Sequence, residues 1–373
     1  MALPVIILLL IIYGYTLIIL LFSLEIERDV DPSADPLGPP SCVSVVVPFR
    51  NEEDHLPGLL EDFAGQTYPA EHMEIIFVDD HSEDGSASIV TSGASQKEHF
   101  HHLELPPQMS GKKKALAHGI QHAKHERIIQ VDADCRLGPG FIAAHMAFLE
   151  MHPSDLVAGI VTTRKGGGSF LEIFDRLDIL SLIGAGAGSF NVGRPMMCSG
   201  ANLSYSRELY LETRSFDPED RIASGDDMFL MIGARKLGRT LSFISNREAI
   251  VRTGPQKKLP ALITQRIRWS SKAGLLKMPD IQLMALLVVL TNLSILLMPL
   301  WLILFPALWP WLAGAWILKS LADFVLLYKM TGICGSRSDM KLFLPVSLLY
   351  YPYFLVIVLG ALCSRPKWKG TPR

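Results

Sequence analysis

The stretch Ile128-Ile129-Gln130-Val131-Asp132-Ala133-Asp134 is a short apolar run that stops abruptly at two carboxylates one residue apart. It predicts a buried strand. Side chains alternate faces along a strand, so strand geometry carried through the pair would put Asp132 and Asp134 on one side. Carboxylates placed that way repel unless a cation, or a phosphate that brings one, lies between them. Hard divalent ions are held by one or two carboxylates, with substrate phosphates filling other positions. In open α/β sheets, ligands gather at the carboxyl ends of the strands. The same pair also fits a solvated turn, because Asp favours turns. Its meaning comes from what surrounds it.

Outward from this stretch, strands alternate with helices. Residues 43–47 are a continuous apolar, β-branched run, as expected of a strand covered on both faces. Residues 75–78 form a second such run ending in Asp79-Asp80, with a helix expected over 56–63 between them. A polar helix over 86–97, a short strand over 102–105 and a helix over 112–124 complete the approach to the central strand. This alternation predicts a mostly parallel sheet with helices on both sides. The Gly166-Gly167-Gly168 run and the glycines between 184 and 188 are expected in loops with no assigned role.

Hydrophobic residues make up 49% of the 373, and the net charge is -2. The first figure is high for a wholly soluble chain, and the second shows no nucleic-acid footprint. Five dispersed cysteines form no CxxC pair, which suits a reducing compartment and excludes a zinc-site spacing. Residues 3–24 form an uncharged run long enough to cross a bilayer, without the basic start and small-residue site of a cleaved leader. They are expected to be a retained anchor (1–25), followed by a Pro-rich linker (26–41) and an α/β domain over 42–257. Residues 258–279 carry Arg266, Arg268, Trp269 and Lys272 on an amphipathic segment suited to a membrane surface, with membrane lipids as partners. Beyond it, 283–305, 308–328 and 342–362 are expected to span. The basic flank places the soluble domain on the cytoplasmic side, yet three spans leave Arg365, Lys367, Lys369 and Arg373 outside, against the positive-inside tendency. Lys319 and Asp323, four apart in the second of these spans, are expected to pair with each other.

Five motifs recur in order: Val45-Val46-Val47-Pro48-Phe49-Arg50-Asn51-Glu52, Val78-Asp79-Asp80-His81-Ser82, Asp132-Ala133-Asp134, Gly225-Asp226-Asp227 and Gln265-Arg266-Ile267-Arg268-Trp269. Over about 44–272 the chain resembles the processive-type family 2 glycosyltransferases, membrane enzymes that include cellulose, hyaluronan and poly-N-acetylglucosamine synthases and ceramide glucosyltransferase. The resemblance implies an α/β GT-A fold flanked by transmembrane helices, a UDP-sugar donor, a lipid or glycan acceptor, and Mn²⁺ or Mg²⁺ as cofactor. It assigns Asp80 to the base, with Pro48, Arg50 and Glu52 around the nucleotide. Asp132 goes to the nucleotide-sugar, Asp134 to the metal and Lys112 to phosphate. Lys112 opens a helix, where backbone N–H groups favour anions; the adjoining Lys113 and Lys114 fit a solvated face. Where related sequences commonly carry Asn, this chain has Ala117.

Asp227 takes the general base position, although a carboxylate in a helix's first turn is also an ordinary capping residue. Related sequences more often show Glu where this chain has Asp226. Gly200, Asn202, Asp226, Gln265, Arg268 and Trp269 fall on the acceptor and diphosphate side. The rival reading is a non-catalytic membrane scaffold that keeps the nucleotide-sugar-binding fold. A transporter is disfavoured, since the spans hold few polar residues to line a path.

Overall fold

A computed structural model describes residues 3–26, 40–216, 225–271 and 278–363. Most of the Pro-rich linker, Lys272 and the basic tail lie outside the described residues. The chain divides into two compact units. Among the described residues, one is formed by 40–164 and 197–254, the other by 3–26, 165–196 and 255–363.

The first unit is built on β1 (Val43–Phe49) and β2 (Met73–Asp79), both buried throughout, as their apolar runs require. The strands β3 (Phe100–Glu104), β4 (Arg127–Gln130), β5 (Leu156–Gly159), β7 (Leu203–Ser206) and β8 (Leu241–Ile244) complete a seven-stranded sheet. Its order is β3-β2-β1-β4-β7-β5-β8. All pairs are parallel except those made by β7, which runs antiparallel to β4 and β5. A second, two-stranded sheet joins β6 (Val161–Thr163) to β9 (Val251–Thr253). Helices α2 (Leu56–Ala64), α3 (Ser86–Ala94), α4 (Lys112–His122) and α5 (Phe141–Met151) connect the first strands, and α7 (Arg207–Thr213) and α8 (Asp226–Lys236) follow β7.

Strand order reverses at β1, which pairs β2 on one side and β4 on the other. That switch point opens a crevice at the carboxyl edge. Register brings the strand ends level there: Asp80 donates its N–H to the Phe49 carbonyl (2.9 Å) and Val131 to that of Val46 (3.2 Å).

The second unit is helical: α1 (Leu3–Glu25), α6 (Phe170–Asn191), α9 (Leu259–Ser270), α10 (Pro279–Leu296), α11 (Met298–Leu304), α12 (Trp309–Ile333) and α13 (Phe343–Cys363). Among the described residues, four helices are long and apolar enough to cross a membrane: those spanning Val5–Glu25, Pro279–Leu296, Pro306–Ile333 and Arg337–Cys363. The apolar segment expected over 283–305 breaks at Leu297, where α10 ends and α11 begins with Pro299 in its first turn. Lys319 and Asp323 pair as expected, at 2.6 Å, and Tyr15 of α1 donates to the same carboxylate at 2.9 Å.

Segment 165–196 corrects two expectations. It belongs to the helical unit and not to one contiguous domain over 42–257. Its glycines at 184, 186 and 188 are not in a loop but inside α6. At Gly188 a Cβ would sit 2.5 Å from the Phe22 carbonyl oxygen, so the missing side chain is what lets α6 lie against α1. A capping box of Ser169 and Glu172 starts this helix.

Candidate active site

The central strand stops before it reaches the carboxylate pair. β4 ends at Gln130, and Asp132-Ala133-Asp134 forms a turn in which Cys135 donates its N–H to the Asp132 carbonyl at 3.2 Å. The two carboxylates share an environment through that turn and not through a common strand face. Lys112, at the start of α4, reaches Asp132 Oδ1 at 2.5 Å. Burial opposes the ammonium charge, but Asp132, Asp226 and Asp227 outweigh it and hold Lys112 above its ordinary range. Burial first, then Asp132 and Glu52, push the Asp134 carboxyl up against the pull of Lys112 and His55. Glu52 itself contacts His55 Nδ1 at 2.7 Å.

The crevice thus gathers Glu52, Asp132, Asp134, Asp226 and Asp227 around Lys112. Such an excess of negative charge suits a hard divalent cation, and Asp134 with Asp132 are the oxygen donors placed to hold one. Among the described residues no three His, Cys, Asp or Glu side chains converge to cage an ion by themselves. The Cys135 thiol lies 3.7 Å from Asp134 Oδ1, and burial, then Asp134 and Asp132, push it up so that it stays protonated.

At the end of β2 the two adjacent aspartates divide their work. Asp79 accepts from the Ser82 N–H (3.0 Å) and hydroxyl (2.6 Å) and braces the following turn. Asp80 is 1% exposed; its Oδ2 accepts the Gly111 N–H at 2.9 Å, and among the described residues no donor reaches its buried Oδ1. Burial pushes the Asp80 carboxyl up, opposed by Gly111, Arg50, His81 and Ser110. Gly111 makes this contact from a left-handed φ of 107°, a conformation that favours glycine. Pro48 is buried in β1, paired with Val78, and Arg50 follows the strand with its guanidinium 3.4 Å from Glu83. Lys113 is not merely solvated: its ammonium lies over the Phe229 ring, 5.1 Å from the centroid.

Asp226 and Asp227 occupy the first turn of α8. Asp226 Oδ2 accepts from Gln130 Nε2 at 2.9 Å. Asp227 accepts the Met228 N–H on Oδ1 (2.8 Å) and the Gly200 N–H on Oδ2 (3.0 Å). Gly200 therefore lies against Asp227. Asn202 does not, which corrects its expected place on the acceptor side. Its side chain is fully buried, with Oδ1 facing His145 Nε2 (2.9 Å) and Nδ2 donating to the Ile160 (2.9 Å) and Ala249 (2.8 Å) carbonyls. Every polar atom of that amide is spent on fixing the core.

Gln265, Arg268 and Trp269 lie on α9 in the helical unit. The sequence reading missed what holds them. Arg266, expected at a membrane surface, is 3% exposed and forks between Asp175 Oδ1 (2.6 Å) and Asp178 Oδ2 (2.7 Å) of α6. Tyr353 adds a hydrogen bond to Asp178 at 3.0 Å, Gln265 accepts from Arg266, and the guanidinium lies 4.4 Å from the Trp269 ring centroid. Trp269 remains 37% exposed. The Asp175-x-x-Asp178 spacing on an apolar helix was the available clue, since carboxylates there need a buried partner.

Residues 44–212 match the model of Glycosyl transferase family 2, and this stretch is a family 2 glycosyltransferase domain. The chain is 31% identical over 126 residues to a poly(ribitol-phosphate) beta-glucosyltransferase of Bacillus spizizenii, covering 34% of this chain and 20% of the relative. It is 39% identical over 98 residues to an undecaprenyl-phosphate 4-deoxy-4-formamido-L-arabinose transferase of Pectobacterium carotovorum, covering 26% of this chain and 30% of the relative. The chain thus spans a third or less of these two relatives' lengths. Its GT-A fold is shared with a mannosyltransferase of Pyrobaculum calidifontis solved in complex with GDP-Man and Mn²⁺. That likeness has a TM-score of 0.58 at 19% identity and covers 96% of this chain and 97% of the other.

Proposed function

We propose that the protein is an inverting, metal-dependent glycosyltransferase that moves a sugar from a UDP-sugar to a hydroxyl of a lipid or lipid-linked acceptor at a membrane. The observation that carries this reading is the meeting, at one sheet edge, of the unpartnered Asp80 oxygen with the Lys112–Asp132 pair. A buried acceptor oxygen seeks an N–H. Uracil offers a single imide N–H, whereas guanine offers two parallel donors that a carboxylate takes with both oxygens. With Oδ2 already engaged by Gly111, Asp80 favours uracil. Lys112 and Asp132 stand where diphosphate and ribose would follow.

The acceptor oxygen attacks the anomeric carbon on the face opposite the nucleotide. The bond to the diphosphate breaks, UDP leaves, and Asp227 takes the hydroxyl proton. This is one displacement, with inversion and no covalent sugar intermediate. A divalent ion held by Asp134 and Asp132 would supply neutralising charge to the departing diphosphate. Gln265, Arg268 and Trp269 are assigned to the acceptor side. The exposed Trp269 ring offers a flat apolar face to a sugar, and Arg268 a fork for phosphate. The helices of crossing length and the undecaprenyl-phosphate relative support a lipid-linked acceptor.

The test is nucleotide release by the detergent-solubilised protein with UDP-glucose, UDP-N-acetylglucosamine, UDP-galactose and GDP-mannose, with Mn²⁺ or Mg²⁺ and with or without membrane lipid extract. Lipid-dependent release from one UDP-sugar, abolished by EDTA, is expected. Turnover of GDP-mannose alone would overturn the base assignment, and a labelled polymer would overturn the lipid acceptor. Nucleotide binding without turnover of any donor would leave the scaffold reading.

A further inference from the structure

Gln130 is the last residue of β4, 1% exposed, and directly precedes the Asp132 turn. Its amide is held at both ends: Nε2 donates to Asp226 Oδ2 (2.9 Å), and Oε1 accepts from the Tyr205 hydroxyl (3.1 Å). Tyr205 is fully buried on the antiparallel neighbour β7, in register with Ile128, and stacks on Tyr210 with ring centroids 5.9 Å apart. The polarity of this chain of bonds is fixed by chemistry. An ionised Asp226 only accepts, so the amide must turn its NH₂ towards it, and the Tyr205 hydroxyl must then donate to the amide oxygen. Gly200 closes the arrangement. A Cβ there would come 2.7 Å from Gln130 Nε2 and 3.5 Å from Asp226 Oδ2, while the Gly200 N–H holds Asp227.

We propose that Gln130 and Tyr205 are positioning residues for the transfer reaction: a buried relay that sets the aim of Asp226 towards Lys112 and keeps the Asp226–Asp227 pair in register with the Asp132 turn. This rests on the glycosyltransferase reading above. Among the described residues, the charged and titratable groups facing Asp226 include Lys112 from α4, Asp227 on its own helix, the Cys198 thiol, and Tyr205 behind Gln130. Neither relay residue is assigned to a substrate. The relay joins the strand that leads into the donor carboxylates to the helix that carries the base, so losing it misaligns the reacting groups while the donor still binds. Its signature is a fall in kcat at constant KM.

The experiment is a double-mutant cycle on the full-length protein in detergent, read as steady-state nucleotide release against concentration of the donor identified above. Tyr205→Phe removes one oxygen and nothing else. It is expected to lower kcat about tenfold and to leave KM for the donor within about twofold. In an Asp226→Ala background, where there is nothing left to aim, the same substitution is expected to change the residual rate less than twofold. Gln130→Met, of similar length without the amide, should repeat both results and stands in if Tyr205→Phe fails to fold. An unchanged kcat in the single variants, or an equal fall in both backgrounds, would overturn the relay and leave the glycosyltransferase reading intact. A wild-type protein that binds UDP but turns over no donor would overturn both.

Discussion

One backbone N–H decides the chemistry of Asp80. Because Gly111 donates to Oδ2, that position must carry an oxygen, and Oδ1 is the atom left for a ligand. Asp80→Asn therefore does more than remove a charge. Its amide oxygen has to stay opposite Gly111, which turns the NH₂ towards the base and sets donor against donor. UDP binding is expected to weaken by about 1–3 kcal/mol, roughly 5- to 150-fold in Kd, measured by calorimetry with the thermal midpoint as a control. Wild-type affinity in this variant would remove Asp80 from the base site. At this scale the sequence was legible wherever a carboxylate follows a buried strand, as at Asp80 and Asp132. It was not legible where two residue types share a motif but face different ways. Gly200 and Asn202 are two apart, and the turn between them sends one backbone N–H to Asp227 and the other side chain into the core. Gln130 and Tyr205 were hidden for a related reason, since nothing in an isolated strand shows which polar residue its antiparallel neighbour will meet.

The elements written most plainly are those whose composition leaves one solution. The continuous apolar runs of β1 and β2 could only be strands covered on both faces, and the parallel half of the sheet follows from them. Helix α6 was missed because its glycines suggest a break, while the reason for Gly188 lies in α1 and that for Gly184 in α12, both far away in sequence. Its two carboxylates fork Arg266, so the helix serves as the fixture for the motif on α9. Helix α5 carries a comparable lock in His145. The orientation of the Asn202 amide, set by two carbonyls, makes His145 Nε2 the donor and leaves Nδ1 buried with no partner among the described residues. Burial pushes this imidazole down to about 4, opposed by the Asn202 contact and aided by Arg127. The folded chain thus resists a proton that the unfolded chain accepts near 6.5. The stabilisation is fully present above pH 6.5 and is lost as pH falls towards 4, by about 3 kcal/mol over that interval. Thermal midpoints of the wild type and His145→Gln between pH 7 and 4.5 check this. The wild-type curve should fall more steeply, and parallel curves would show that His145 does not set the acid limit.

For the whole molecule, the decisive quantity is the apolar surface that the helical unit leaves uncovered. Leu10, Leu17 and Leu24 on α1, Leu283 and Leu286 on α10, Ile303 on α11, Trp309 and Trp311 on α12, and Leu344, Leu359 and Leu362 on α13 are each more than half exposed. Apolar faces of this extent exceed what soluble chains present to water, and lipid is the medium that suits them. The helix lengths agree, since about 20 residues cross the hydrocarbon core and α1, α12 and α13 have 23, 25 and 21. Among the described residues, Lys319 pairs with Asp323 and Arg176 with Asp339, and Lys329 of α12 donates to the Ser23 carbonyl, so each of these three cations has a partner inside the protein. Orientation then turns on the cysteines. All five are free, and Cys42 and Cys363 are exposed, the first before the three later helices of crossing length and the second the last residue of the third. With the α/β unit cytoplasmic and those three helices crossing, Cys363 emerges on the far side. In variants keeping one of these two cysteines, a membrane-impermeant maleimide applied to intact cells should label Cys363 at once and Cys42 only after permeabilisation. Labelling of Cys42 in intact cells would reverse the orientation. Protection of both would mean that an even number of the three helices cross, which is what the basic residues Arg365, Lys367, Lys369 and Arg373 would favour.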